Sequence, residues 1–180
     1  LLTSTLVVWA QPTFTSVPAA AATNVNQSAN IVLTFNEGIR ESAMGNGALD
    51  DSNIDTRITL KLTNSGGADI AFDATIDGTK TIVTINPNSN LPSQAVIYVN
   101  IVGVEAISDD DDLVPAPFTF SVIDYLAPSP LFLPANGATN VAVNANLVIS
   151  FSENIFQTDG SPLDDASIEA GVVELKILND

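Results

Sequence analysis

The chain has 180 residues, with 21 Asp and Glu against five Lys and Arg, no His and no Cys, for a net charge of −16. That balance repels phosphate backbones and anionic lipid, which excludes nucleic acid as a partner; the missing imidazole and thiol remove His as a general base, Cys as a nucleophile and any disulfide. No stretch approaches the ~20 apolar residues of a membrane helix, so direct insertion by one is excluded too.

Taken in chain order, residues 1–10 are apolar toward their end, and residues 2–10 align without a gap on residues 118–126, so they read as strand rather than as the remnant of a leader. Short runs of alternating apolar residues then recur between Asn, Asp, Gly and Pro, the pattern of half-buried strands in an all-β sandwich. They predict strands over 13–17, 30–35, 57–63, 69–75, 80–86, 95–102 and 117–123. The expected inward residues are Ile31, Leu33 and Phe35, then Ile58, Leu60 and Leu62, then Ile70 and Phe72. Val83 and Ile85, Ile97, Val99 and Ile101, and Phe118 and Phe120 complete the set. Asp77-Gly78 marks a tight hairpin. No segment keeps a 3.6-residue period, so helix is expected to be minor.

An internal repeat overlies these strands. Residues 18–40 match residues 134–156, 116 positions later, at 12 of 23 positions. The expected organisation is residues 1–11 as the last strand of a preceding repeat or a linker, 12–127 as one complete repeat, and 128–180 as the first half of a second. Asp180 falls opposite roughly Ser65, and the chain reads as a window cut from a longer array. Seven strands in ~100 residues is the immunoglobulin-like count.

Several motifs carry a family resemblance. Pro18, the Thr23-Asn24-Val25 turn, the run from Ile31 to Glu37, Asn86-Pro87 with Leu91-Pro92, Tyr98 to Val104, and Phe118-Thr119-Phe120 resemble the bacterial immunoglobulin-like domain of surface-layer and large adhesin proteins. Phe151-Ser152-Glu153 after Asn140-Val141 repeats part of it. Asp109 to Asp112 depart from the family pattern, which has an Asp followed by a Gly-Asn turn. The resemblance implies a tandem string of seven-stranded β-sandwiches on an extracellular, bacterial cell-surface protein, without catalysis.

Strand order places the acids. Of 14 acids in residues 12–127, ten fall in the second-to-third, fourth-to-fifth and sixth-to-seventh strand loops, which return to one pole of a sandwich. Converging carboxylates suit Ca²⁺, with its six to eight oxygen ligands. The expected sites are a junction ion held by Glu37 with some of Asp109, Asp110, Asp111 and Asp112, and a second held by Asp124 with Glu153. Solvated acidic loops that keep an apolar-rich protein soluble are the alternative. Trp9 and Tyr125 share one repeat position just before the linker prolines Pro12 and Pro128, and are expected to pack between neighbouring domains.

Neither a Gly-rich phosphate loop nor a carboxylate pair in a cleft is legible, so the chain is expected not to be an enzyme. The favoured role is a structural repeat of an adhesin, surface layer or self-assembling filament, with neighbouring repeats and further copies as partners. The alternative is an accessory module that binds a surface glycan or protein, which a single Trp and two Tyr support poorly.

Overall fold

The computed structural model describes residues 11–42, 46–157, 160–169 and 175–176. The strand expected over residues 2–10, with Trp9, lies outside the described residues. The chain divides between Tyr125 and Leu126 into two compact units.

The first unit is all β. Its strands are β1 (Phe14–Val17), β2 (Ile31–Phe35), β3 (Ile39–Glu41), β4 (Ile58–Leu62), β5 (Phe72–Ile76), β6 (Ile82–Pro87), β7 (Val96–Ile101), β8 (Val104–Ala106) and β9 (Phe118–Ser121). A single turn of 3-10 helix spans Ile54–Arg57. One sheet has the order β1-β2-β6-β5, the other β4-β7-β9, and β3 pairs with β8 as a separate ribbon. The β-branched runs account for the strands, because their side chains stand alternately on the two faces of a pleated sheet. All seven expected strands form, within a few residues of their expected ends. Residues 69–75 shift most: β5 starts at Phe72 and reaches Ile76, so Ala74 and Ile76 enter the core while Ile70 and Phe72 pack at its margin.

The two sheets bury their inward rows against each other. Ile31, Leu33, Val83 and Ile85 from one sheet and Leu60, Ile97, Val99 and Phe120 from the other are each no more than 2% exposed. Register enforces this: Leu33 lies opposite Val83 and Ile31 opposite Ile85, so a slip of one residue would turn both rows to solvent.

The ends of the unit are tied together by a further pairing. The segment from Ala21 to Val25, with left-handed backbone at Ala21 and Asn24, lies alongside β9, with a parallel bridge between Val25 and Val122 just beyond it. Four backbone hydrogen bonds join them: Ala21 N to Thr119 O at 2.7 Å, Ser121 N to Ala22 O at 2.8 Å, Val25 N to Ser121 O at 3.0 Å and Ile123 N to Val25 O at 2.9 Å.

An edge strand needs protection from pairing with a foreign strand. At the β5 edge, the loop before β4 supplies it. Asp55 Oδ1 accepts from the Ala74 amide and Asp51 Oδ1 from the Ile76 amide, both at 2.8 Å. The two carboxylates stand where the next strand's carbonyls would stand.

In the second unit, β10 (Pro130–Leu133) pairs with β11 (Val148–Phe151), and a short α1 (Asp165–Ser167) follows. The registers Pro130 to Phe151 and Leu133 to Val148 are those of Phe14 to Phe35 and Val17 to Val32, each shifted by 116. Left-handed backbone recurs at the same offset, at Ala21 (φ 60°) and Gly137 (φ 76°) and at Asn24 (φ 57°) and Asn140 (φ 55°). The inward face differs in its cover: Phe151 is 40% exposed where its counterpart Phe35 is 4%. With Phe132, Ile149, Ile155 and Leu163 it lines an open apolar groove of about 740 Å³.

Two measurements check this account. Ala21 holds a conformation that its β-carbon disfavours and that Gly137 adopts freely, so Ala21→Gly is expected to stabilise the first unit by about 0.5–1 kcal/mol, read as a higher melting temperature. Asp51→Ala strips the acceptor from the Ile76 amide and is expected to cost about 1–3 kcal/mol in urea unfolding, with Asp51→Asn milder because it keeps an acceptor oxygen.

Candidate functional site: the acidic loop pole

The site is organised by the β3–β8 ribbon, which the sequence pattern does not announce. Each strand is three residues long and carries charge at its middle, so neither gives an alternation to read. The signal that could have found them is complementary: Arg40 lies directly opposite Glu105 in the antiparallel register. Opposite charges at such a position attract across the ladder.

Here the structure gathers carboxylates around the two arginines. Arg40 Nε reaches Glu105 Oε1 at 2.8 Å, and a second guanidinium nitrogen reaches Asp110. Glu105 is the buried charged residue of the described core, at 8% exposure, so this pairing is what makes its burial tolerable. Arg57 Nη2 pairs with Glu41 Oε1 at 2.7 Å. The Ser108 hydroxyl donates to Glu37 Oε2 at 2.5 Å, which joins the loop after β2 to the loop after β8. The Asp111 amide donates to Asp109 Oδ1 at 3.3 Å, and Asp112 bridges to Glu105 through the backbone.

The residues expected to hold calcium therefore divide into groups. Glu37 and Asp110 face the same pole but point at Ser108 and Arg40; Asp109, Asp111 and Asp112 shape the local turn. Asp124 accepts from Ser93 Oγ at 2.9 Å and from Gln94 Nε2 at 2.7 Å, and so serves the loop before β7. Glu153 is a half-buried residue of the second unit. Among the described residues, no three acidic side chains group closely enough to hold a metal ion.

Of the expected packing residues, Tyr125 is anchored to its own unit: its hydroxyl donates to Leu91 O at 2.9 Å and its amide to Ser93 Oγ at 3.1 Å. Its ring stays 42% exposed. Pro12 is buried and Pro128 exposed.

The electrostatics of the loops run in one direction. Asp77 closes the β5–β6 hairpin; its carboxylate accepts from the Thr79 hydroxyl, from the Thr81 amide at 2.7 Å and from the Ile82 amide at 2.8 Å. Led by the Thr79 hydroxyl, these donors lower its pKa from 3.8 to about 2. The Ser52 hydroxyl lowers Asp50, and the amide of Ser167, the last residue of α1, lowers its N-cap Asp164. Each displaced carboxylate is stabilised as the anion, which suits turn closure and disfavours a general acid.

Linkage follows from the sign. A carboxylate whose folded pKa is depressed favours the fold above its unfolded value and withdraws that contribution as pH falls through the folded one. Between about pH 4 and about pH 2, the protein is therefore expected to lose stability faster than its Asp77→Ala variant, with the two curves parallel above that window in urea unfolding at a series of pH values.

The chain has clear relatives by family and distant ones by shape. The family model described as a bacterial Ig-like domain matches residues 10–122, more than half of the chain. No curated protein sequence matches it. Among solved structures, CopC from Methylosinus trichosporium OB3b is 13% identical, with a TM-score of 0.42 over 64% of this chain and 97% of that one. Domains 1–6 of the surface layer protein SbsC are 10% identical with a TM-score of 0.44, over 68% of this chain and 15% of that one. An L,D-transpeptidase from Mycobacterium smegmatis is 13% identical with a TM-score of 0.39, over 67% of this chain and 42% of that one. Likeness at this level carries no statement about activity. The register, the two-sheet core and the family match together lead to one assignment: the chain belongs to the bacterial Ig-like domain family.

Proposed function

We propose that this chain is a non-catalytic, load-bearing structural module in a tandem array of Ig-like repeats on an extracellular, cell-surface protein. The observation that carries the proposal is the parallel pairing of Ala21–Val25 with β9. Parallel strands leave a sheet at opposite ends, so tension applied through the two termini of the unit pulls these two segments along each other. The four hydrogen bonds are then loaded together in shear and must fail together. An antiparallel terminal pair would open like a zipper, one bond at a time.

Two further features support the reading. The register and left-handed positions of β1–β2 recur in β10–β11 at a constant offset, as expected of a copied unit in a string. The described carboxylates Glu41, Glu105 and Asp110 of the loop pole pair with Arg40 and Arg57, an arrangement that suits a structural role. No helix among the described residues is long and apolar enough to cross a membrane.

Stretching single molecules by their ends tests the proposal. A discrete unfolding event is expected for the first unit, with a contour gain of roughly 350–400 Å from the ~3.6 Å that each extended residue spans. Val25→Pro, which removes the Val25 donor, is expected to lower the force of that event. Unfolding without a resolvable force peak in the parent protein would overturn the load-bearing role.

A further inference from the structure

Charge is distributed unevenly over the strands. In a chain with 26 charged residues, β1, β2, β6, β7, β9, β10 and β11 contain none, while β4, in the sheet of β7 and β9, carries Lys61. Alternation assigns their side chains to two sets. In the first unit the inward set is the core, and the outward set of β1 and β2 is Thr15, Val17, Val32 and Thr34, with Ile82 and Thr84 continuing it on β6. The shift of 116 places Leu131, Leu133, Val148 and Ser150 at the outward positions of the second unit. Val17 is 69% exposed, Leu131 72%, Leu133 67% and Val148 49%. Leu133 and Val148 also reach the rim of the apolar groove, whereas Leu131 and Ser150 do not line it.

We propose that the outward face of β1–β2, and its counterpart on β10–β11, is a self-docking surface whose partner is the same face of a second copy of this chain. The proposal rests on the structural reading of the protein and names its partner. Charge argues for the occupant. Two copies that each carry −16 repel wherever their acids meet, and an uncharged stripe is where they can touch without burying unpaired carboxylates. A partner rich in Lys and Arg would gain nothing on a stripe without acids; it would be drawn to the loop pole instead. Flat strands carrying Thr, Val and Leu present what a second such sheet packs against, at the ~10 Å spacing of stacked sheets.

Size sets the strength. In each unit, two strands of about five residues, at ~4.8 Å between strands and ~3.3 Å per residue, present roughly 150 Å². That is well under the ~800 Å² per partner of a stable interface. One contact is therefore weak, and association must grow with the number of units that engage at once.

Sedimentation velocity on the full chain over a wide concentration range, at low and high salt, tests this. Reversible self-association is expected, stronger at high salt because ions screen the mutual repulsion. Leu131→Glu, at an outward position that does not line the groove, is expected to weaken it by more than about tenfold. Thr34→Glu, on the first unit, is expected to act in the same direction, with circular dichroism reporting an unchanged fold. A chain that stays monomeric throughout would overturn the proposal while leaving the force measurement, and with it the structural role, intact. Association that survives both variants and is lost in Phe132→Ser would also overturn it, by assigning the contact to the inward groove.

Discussion

Everything in the first unit hangs on the closure of two apolar rows over each other. Leu33 and Ile85 on one sheet, Leu60 and Val99 on the other, are held out of water from both sides, and deleting any one of them to Ala would cost about 2–5 kcal/mol. That is a large share of the 5–15 kcal/mol by which a domain is stable. The same closure fixes the register of β2 against β6 and of β4 against β7, and so decides where each loop leaves the sheet. The loops around Glu37, Arg40 and Asp110 meet because the strands below them cannot slide.

The parts of this fold that were legible in the sequence are those with a long enough period. β2, β6 and β7 alternate over five or six residues, so their strand character and inward faces could be read directly. β3 and β8 could not, since three residues hold at most one full alternation and both strands carry charge. Their existence depends on Arg40 finding Glu105 across 65 residues of chain, a distance that local pattern does not span. The acidic loops were visible as composition but not as geometry. Reading 21 acids against five cations suggests uncompensated carboxylates, yet Arg40 and Arg57 stand within the cluster, and backbone amides take up Asp51, Asp55 and Asp77. Amide donors leave no trace in a sequence, which is why a carboxylate that closes a turn looks the same there as one that awaits an ion. Tyr125 illustrates the same limit: its place before the linker was legible, but the Leu91 carbonyl that receives its hydroxyl was not.

The partition of charge ties structure to role. Acids collect at loops and at the β5 edge, where they close turns and cap amides, while β1, β2 and β6 carry no charge. On the proposed reading, such a module would repel at its poles and edge and admit contact on a face. The parallel tie between Ala21–Val25 and β9 adds an axis along which the unit resists being drawn out. Neither property needs a cleft, a cofactor or a titrating side chain.

If the chain is one stretch of the tandem array proposed above, the caps on β5 bear on how that string would survive its own synthesis. Adjacent copies of one module reach each other at a very high local concentration, since the linker that joins them never lets them diffuse apart. An open edge strand would then find, in its neighbour, a sequence already selected to pair with it, and two half-folded copies could exchange strands before either had closed. With Asp51 and Asp55 seated on the amides of Ala74 and Ile76, the edge is occupied from within as soon as its own loop folds down. Likeness between neighbours is what makes a repeat protein prone to tangling, and two carboxylates on one edge let the copies remain alike without becoming interchangeable.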